Sequence, residues 1–333
     1  MLNVLVTYRN VPGAGLVERL RERFHVTVNP VEGQMARDQL LGAVGEADGM
    51  VAMLTDRVDA LLLDAAPRLK VVANYAVGFN NVDVAAATAR GVMVTNTPDV
   101  VTDATADLAW AILMGIARNV VVVDRFTRSG QWTEWRPEAF IAADITGATL
   151  GIVGLGRIGQ AVAKRAAGFD MRVLYADIQQ APREVELRSG ASFVPLDTLL
   201  RESDFVTIHV PLLEATRHLI DARALSLMKP TAYLVNAARG PIVDERALVH
   251  ALQAGTIAGA ALDVYEDEPR LAEGLAELDN VILIPHLGAN SRRTRDHMAA
   301  MTVDNIVAAL SGAAPPNLVN PEVLPRKRPL SAA

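Results

Sequence analysis

The chain has no cysteine among its 333 residues. Disulfides and thiolate metal ligands are therefore excluded, redox chemistry has to come from a bound cofactor, and a reducing, cytoplasmic compartment is the expectation. An excess of positive charge is also missing. The formal net charge is -6, with 51% hydrophobic and 21% charged residues, which describes a soluble globular protein and argues against a nucleic-acid partner. Long apolar runs are absent too. The most apolar stretch, Leu108 to Val123, is interrupted by Arg118 and Asn119 and falls short of the roughly 18 residues a membrane span needs, so no membrane partner is expected and a buried helix is. The first residues, Met1 to Thr7, lack the basic start and apolar region of a signal peptide and look like a first buried strand. There are no internal repeats or low-complexity segments.

What is present is long enough for two domains, since single cores stop growing near about 250 to 300 residues. Apolar runs at 2–7, 25–28, 49–54, 69–73 and 92–95 alternate with helical patterns at 15–24, 39–44, 58–65 and 82–90, the rhythm of a small parallel α/β domain. After Pro98 a loop leads into the long apolar helix, which ends near Val123. Gly130 to Pro137 then forms a surface loop whose Trp132 and Trp135 are either pinned to a partner or part of a pocket wall.

The chain is organised around Thr149 to Asp177. A short apolar strand, Thr149 to Val153, is followed by Gly154, Leu155, Gly156, Arg157, Ile158 and Gly159, then an Ala-rich helix and a second strand, Arg172 to Ala176. This is the dinucleotide fingerprint in its proper setting. Gly154 allows the tight turn, Gly156 admits a pyrophosphate close to the backbone, Gly159 lets the helix approach the sheet, and the helix N-terminus faces the phosphates. Glycine spacing alone is weak evidence in a chain with 23 glycines, so the surrounding strand, helix and strand decide the matter. Asp177 lies 23 residues after Gly154, where a carboxylate accepts hydrogen bonds from a ribose and repels the extra phosphate of NADP. NAD, as NADH, is therefore expected rather than NADP.

The alternation continues with helices at 196–201, 222–227 and 245–255 and strands at 205–210, 232–236, 259–263 and 281–284, a doubly wound sheet. A last helix, Ser291 to about Leu310, is expected to return to the first domain. The tail from Pro325 to Ala333 is expected to fray.

Three polar groups stand beyond successive strands of this second sheet, Arg239, Glu268 and His286, where ligands of open parallel sheets bind. Each taken singly is ordinary: an arginine after a strand usually makes a surface ion pair, a glutamate before proline is usually solvated, and a strand-end histidine is usually structural. Together they suit carbonyl reduction. An imidazolium at His286 can supply a proton to the oxygen as hydride reaches the carbon, Arg239 can grip a neighbouring carboxylate with its planar fork, and Glu268 on the other ring nitrogen can fix the imidazole.

With these residues, the chain resembles the D-isomer-specific 2-hydroxyacid dehydrogenase family, and within it the glyoxylate and hydroxypyruvate reductases. The resemblance spans nearly the whole chain. It rests on Gly154 to Gly159, on Asn236 to Gly240 with Val243, Asp244 and Glu245, on Ala261 to Pro269, and on Pro285 to Gly288; the intervals of 29 residues from Arg239 to Glu268 and 18 from Glu268 to His286 fit the family's catalytic set. It implies a Rossmann-type NAD-binding domain, 99–286, inserted in a smaller flavodoxin-like α/β substrate domain made of 1–98 and 287–333. Arg239 would bind and polarise the substrate, Glu268 would partner the histidine, and His286 would donate the proton. Val77 and Gly78 would hold the substrate carboxylate through backbone N–H groups.

The cofactor would be contacted by Thr105, by Arg157 and Ile158 at the phosphates, by His209, Val210 and Pro211 beside the adenine, by Ala237, Ala238, Arg239, His286 and Gly288, and by Asp263 at the carboxamide. No metal is implied. Phosphite dehydrogenases, which the chain otherwise resembles, carry a lysine where Val77 stands, and formate dehydrogenases pair their histidine with glutamine; Val77 and Glu268 fit a 2-keto acid better. The tryptophan loop is similar to the substrate-specificity region of the glyoxylate and hydroxypyruvate reductases. NADH-dependent reduction of glyoxylate or hydroxypyruvate to the D-2-hydroxy acid by a homodimer is therefore the expectation. A family member acting on D-lactate, D-3-phosphoglycerate or phosphite, or a dinucleotide-sensing corepressor-like protein, are the alternatives.

Overall fold

A computed structural model describes residues 1–329, which divide into two compact units, 1–101 with 289–329 and 102–288. The first unit opens with β1 (Asn3–Val6), α1 (Leu16–Arg21), β2 (His25–Val28), α2 (Arg37–Ala43), β3 (Gly49–Ala52), α3 (Ala60–Ala65), β4 (Val71–Asn74), α4 (Val84–Ala89) and β5 (Met93–Thr95). All pairings are parallel, in the order β2-β1-β3-β4-β5. That is the flavodoxin-like order. Every residue of β3 and β4 is buried, as the uninterrupted apolar runs require when helices cover both faces.

The second unit contains α5 (Thr102–Ala117), α6 (Val120–Arg128), β6 (Thr149–Val153), α7 (Arg157–Ala166), β7 (Arg172–Ala176), α8 (Arg183–Ser189), β8 (Ala191–Phe193), α9 (Leu196–Glu202), β9 (Phe205–Ile208), α10 (Ala222–Leu227), β10 (Tyr233–Asn236), α11 (Glu245–Gln253), β11 (Gly259–Leu262) and β12 (Val281–Leu283). Its seven strands are parallel, in the order β12-β11-β10-β9-β6-β7-β8. This is the Rossmann order extended by one strand, and its direction reverses between β6 and β9, where the crevice for a ligand opens.

Helix starts follow their cap residues. Asp59, Asp83, Asp221 and Asp244 each accept a hydrogen bond from the amide three residues on, satisfying a donor that the first turn leaves unpaired. Ser291 does the same for the final helix, α12 (Arg292–Leu310). That helix packs on β3, β4 and β5 of the first unit, as expected of the element that closes it.

The structure departs from the sequence reading at three places. The apolar run before Val123 is not one buried helix: Asn119 adopts φ 55, the axis turns by 62°, and α6 buries none of its residues although α5 buries eight. A single left-handed residue suffices to end the helix. Among the described residues no single helix is long and apolar enough to cross a membrane. Second, α8 and β8 are added: seven mostly polar residues and a three-residue strand carry too little periodicity to mark them in the sequence. Third, the tail does not fray through 329. Arg328 donates to the carbonyls of Arg90 (2.8 Å), Ala66 (2.6 Å) and Leu69 (2.9 Å), and Lys327 to that of Gly312 (2.6 Å); the expectation for 330–333 lies outside the described residues.

Candidate active site

The glycine turn sits at the reversal of strand order. Gly154 has φ 97, and a Cβ there would stand 2.8 Å from Val210 Cγ1 and 2.9 Å from the His209 carbonyl carbon, so only glycine fits between β6 and the segment after β9. A Cβ on Gly159 would lie 2.1 Å from the Gly154 carbonyl oxygen, whereas one on Gly156 would meet nothing within 4 Å. The first closes the helix onto the turn; the second leaves open space at the α7 N-terminus, which carries no side-chain cap. Arg157 and Ile158 open that helix. An N-terminus without a side-chain cap, the helix dipole and open space fit a pyrophosphate.

Asp177 follows β7. One carboxylate oxygen accepts from the Leu155 amide at 2.9 Å and the other from the Ile178 amide at 2.7 Å, so the residue proposed for a ribose also braces the glycine turn. Ile178, Gln179 and Gln180 follow it, with Ile178 92% exposed. Beyond β9, the His209 amide bonds the Val153 carbonyl at 2.7 Å. Its Nε2 lies 2.9 Å from Thr207 Oγ1, Nδ1 is buried without a partner among the described residues, and burial pushes the imidazole down to about 4. His209 is thus a neutral ring near pH 7, a surface suited to a flat uncharged group. Val210 is half-buried and Pro211 exposed.

The same unit brings the other predicted residues together. Asn236 closes β10 and shapes the next turn: its Nδ2 donates to the Arg239 carbonyl and its Oδ1 accepts from the Ala238 amide, both at 3.0 Å. This turn carries Ala237, Ala238 and Arg239. The guanidinium is half-buried and donates to the Ala238 carbonyl at 2.6 Å; burial lowers it from the usual arginine range, against the pull of the Glu268 charge.

Asp263, 1% exposed, follows β11 and builds the histidine turn. Its carboxylate accepts from the amides of Leu287 and Gly288, and its carbonyl from the His286 amide at 2.8 Å. Thr105 Oγ1 donates to the Gly288 carbonyl at 3.2 Å. Held this way, His286 takes φ 55, a left-handed conformation that a non-glycine residue keeps only when its surroundings enforce it. Its Nδ1 lies 2.9 Å from Glu268 Oε2, and Glu268 Oε1 accepts from the Tyr265 amide at 3.1 Å. Burial pushes the Glu268 carboxyl up, but the hydrogen bond and charge of His286, with the Tyr265 amide and the Arg239 charge, together outweigh it, and the group ends below the usual carboxylate range. With Nδ1 engaged, Nε2 is the nitrogen left to exchange a proton.

Val77 and Gly78 follow β4 in the first unit. Asn96 Nδ2 donates to the Val77 carbonyl and Asn74 Nδ2 to the Gly78 carbonyl, both at 2.8 Å, so the amides are the groups this loop can offer a carboxylate. Trp132 and Trp135 are 61% and 78% exposed. Sequence reasoning did not find the carboxylates of Glu245 and Glu266 that support the loop before Glu268; no local pattern links residues so far apart in the chain.

The NAD binding domain of D-isomer specific 2-hydroxyacid dehydrogenases matches residues 110–288. The chain is 52% identical over 330 residues to a glyoxylate reductase of Thermococcus onnurineus, covering 98% of each. A solved structure of a protein from Thermus thermophilus superposes with a TM-score of 0.89 at 44% identity, over 96% of this chain and all of that one. The NADPH-dependent glyoxylate/hydroxypyruvate reductase of Sinorhizobium meliloti, solved with NADP and malonate, follows at TM-score 0.83 and 34% identity, over 98% and 99%.

Proposed function

The chain belongs to the D-isomer specific 2-hydroxyacid dehydrogenase family, and from that premise we propose that it reduces glyoxylate or hydroxypyruvate with NADH, giving the D-2-hydroxy acid where the product is chiral. The observation that carries the reading is the Glu268–His286 pair at 2.9 Å, held in the same unit as the glycine turn and Arg239.

A bound reduced dinucleotide supplies the hydride. Arg239 grips the carboxylate of the keto acid and polarises its carbonyl, its planar fork matching two oxygens at once. As charge builds on the carbonyl oxygen, His286 Nε2 delivers a proton to it, and Glu268 keeps Nδ1 occupied so that the ring cannot turn away. In the reverse direction the neutral imidazole takes the proton back. The amides of Val77 and Gly78 are proposed as further carboxylate donors.

For the cofactor, Asp177 offers a carboxylate to ribose hydroxyls, and Ile178, Gln179 and Gln180 bring no cation for a 2′-phosphate. This supports NAD, although the Sinorhizobium relative is NADPH-dependent. A homodimer is proposed because Val120, Trp132, Trp135, Phe140 and Ile141 are all exposed on the single chain. A cysteine-free chain fits a cytoplasmic setting. Glyoxylate, hydroxypyruvate and pyruvate are to be assayed with NADH and NADPH by loss of cofactor absorbance. Turnover of the first two is expected, and none with any of the three would remove the assignment.

A further inference from the structure

Glu245 opens α11 and is 4% exposed, a rare place for a carboxylate. One of its oxygens accepts from the Glu266 amide and the other from the Ala272 amide at 3.2 Å. The arrangement is reciprocal. Glu266 Oε2 accepts from the Glu245 amide at 3.4 Å, and Glu266 Oε1 lies 2.6 Å from His218 Nε2. Burial pushes the Glu245 carboxyl up, the amides of Glu266 and Ala272 hold it down, and the charges of Glu266 and Glu268 add to the rise. An acid kept in such a place costs stability that a packed apolar side chain would not.

A second contact falls on the same peptide. A Cβ on Gly240 would stand 1.8 Å from the carbonyl carbon and oxygen of Tyr265 and 2.4 Å from the Glu266 nitrogen. The Tyr265–Glu266 peptide is therefore seated between the residue next to Arg239 and the first turn of α11. One peptide earlier the Tyr265 amide donates to Glu268, and Glu268 reaches His286.

We propose that Glu245 is a positioning residue for the reaction: by gripping the Glu266 amide it locks the Arg239 turn and the Glu268–His286 pair at one fixed spacing. This rests on the proposed roles of those three residues. Glu245→Ala frees the Tyr265–Glu266 peptide, and kcat for glyoxylate with NADH falls about 10- to 100-fold, the scale of a misplacement of about 1 Å. The KM for glyoxylate rises as well, because Arg239 holds the substrate carboxylate from the loosened turn, whereas the Kd for NADH changes by no more than about twofold, since the glycine turn and Asp177 stay in place. In the protein without cofactor, amide exchange across 264–268 rises at least about tenfold, with other segments of the same unit unchanged. Glu245→Gln keeps one oxygen for the Glu266 amide and recovers most of the lost kcat.

Should the alanine variant not fold, Glu245→Asp, one methylene too short to bridge both amides, is to show the same split. Unchanged kcat in a folded alanine or aspartate variant overturns the proposal, as does a kcat loss without faster exchange in 264–268. The exchange measurement needs no turnover, so a wild-type protein inactive on keto acids would sink the functional reading and leave this result to be judged by itself.

Discussion

Replacing Asp177 by asparagine isolates the charge on which cofactor choice is proposed to depend. The amide oxygen of asparagine can still accept from Leu155 N, which Asp177 Oδ2 does at 2.9 Å, so the glycine turn keeps its brace while the charge disappears. Hydrogen bonds to a charged acceptor contribute about 1.5–3 kcal/mol and to a neutral one about 0.5–1.5; NADH therefore loses about 1 kcal/mol, roughly fivefold in kcat/KM. For NADPH the balance reverses. Two unit charges about 4 Å apart repel by about 4 kcal/mol at an effective dielectric constant of about 20. Asp177 is exposed, and screening by water and salt leaves roughly 1–2 kcal/mol of that, a gain of about 5- to 30-fold for NADPH. The NADH to NADPH preference should then fall by about 25- to 150-fold, read as the ratio of kcat/KM values from initial rates with each cofactor. A wild-type enzyme that uses both equally, or a variant whose ratio does not move, would refute the reasoning.

His286→Ala should lower kcat by about 10²- to 10⁴-fold, the usual contribution of a positioned acid, with NADH affinity preserved in a fluorescence titration; normal turnover would exclude the proposed role. Gly159→Ala places a methyl 2.1 Å from the Gly154 carbonyl oxygen, so the turn must shift: a loss of about 1–3 kcal/mol in denaturant unfolding and weakened dinucleotide binding are expected, and unaltered cofactor affinity would contradict that geometry. Asp56, 1% exposed, accepts from Thr7 Oγ1 and the Met53 amide, and burial pushes its carboxyl above 3.8 despite them. An acid whose folded value is raised loses stability as pH climbs past its unfolded value, so Asp56→Asn should raise Tm near about pH 8 and cease to do so near about pH 4. A gain independent of pH would point to packing instead.

The parallel strands were legible because burial on both faces writes them as short apolar runs, and the helix starts because Asp59, Asp83, Asp221 and Asp244 stand at their caps. Gly154, Asp177, Arg239, Glu268 and His286 could be picked out since strand ends in such sheets face the ligand. What stayed hidden depends on partners distant in the chain or on one residue's backbone. Asn119 is a residue type that tolerates the left-handed conformation, but one such residue in a long apolar run does not by itself show that the helix breaks there. Arg328 reaches Ala66 across 262 positions, and Glu245 meets Glu266 only after the intervening strand has folded back. The left-handed His286 is likewise invisible in sequence, because Asp263 imposes it from the neighbouring strand.

The first unit is stitched from two separate stretches of the chain, with α12 lying on β3, β4 and β5 and Arg328 bound to main-chain oxygens near residue 66. Residues 102–288 form their unit from one unbroken stretch. During synthesis the central stretch can therefore finish on the ribosome while β1 to β5 still lack the helix that covers one face of their sheet. The nascent strands β1 to β5 must wait, part of their apolar surface uncovered, until residues 292–310 have been translated.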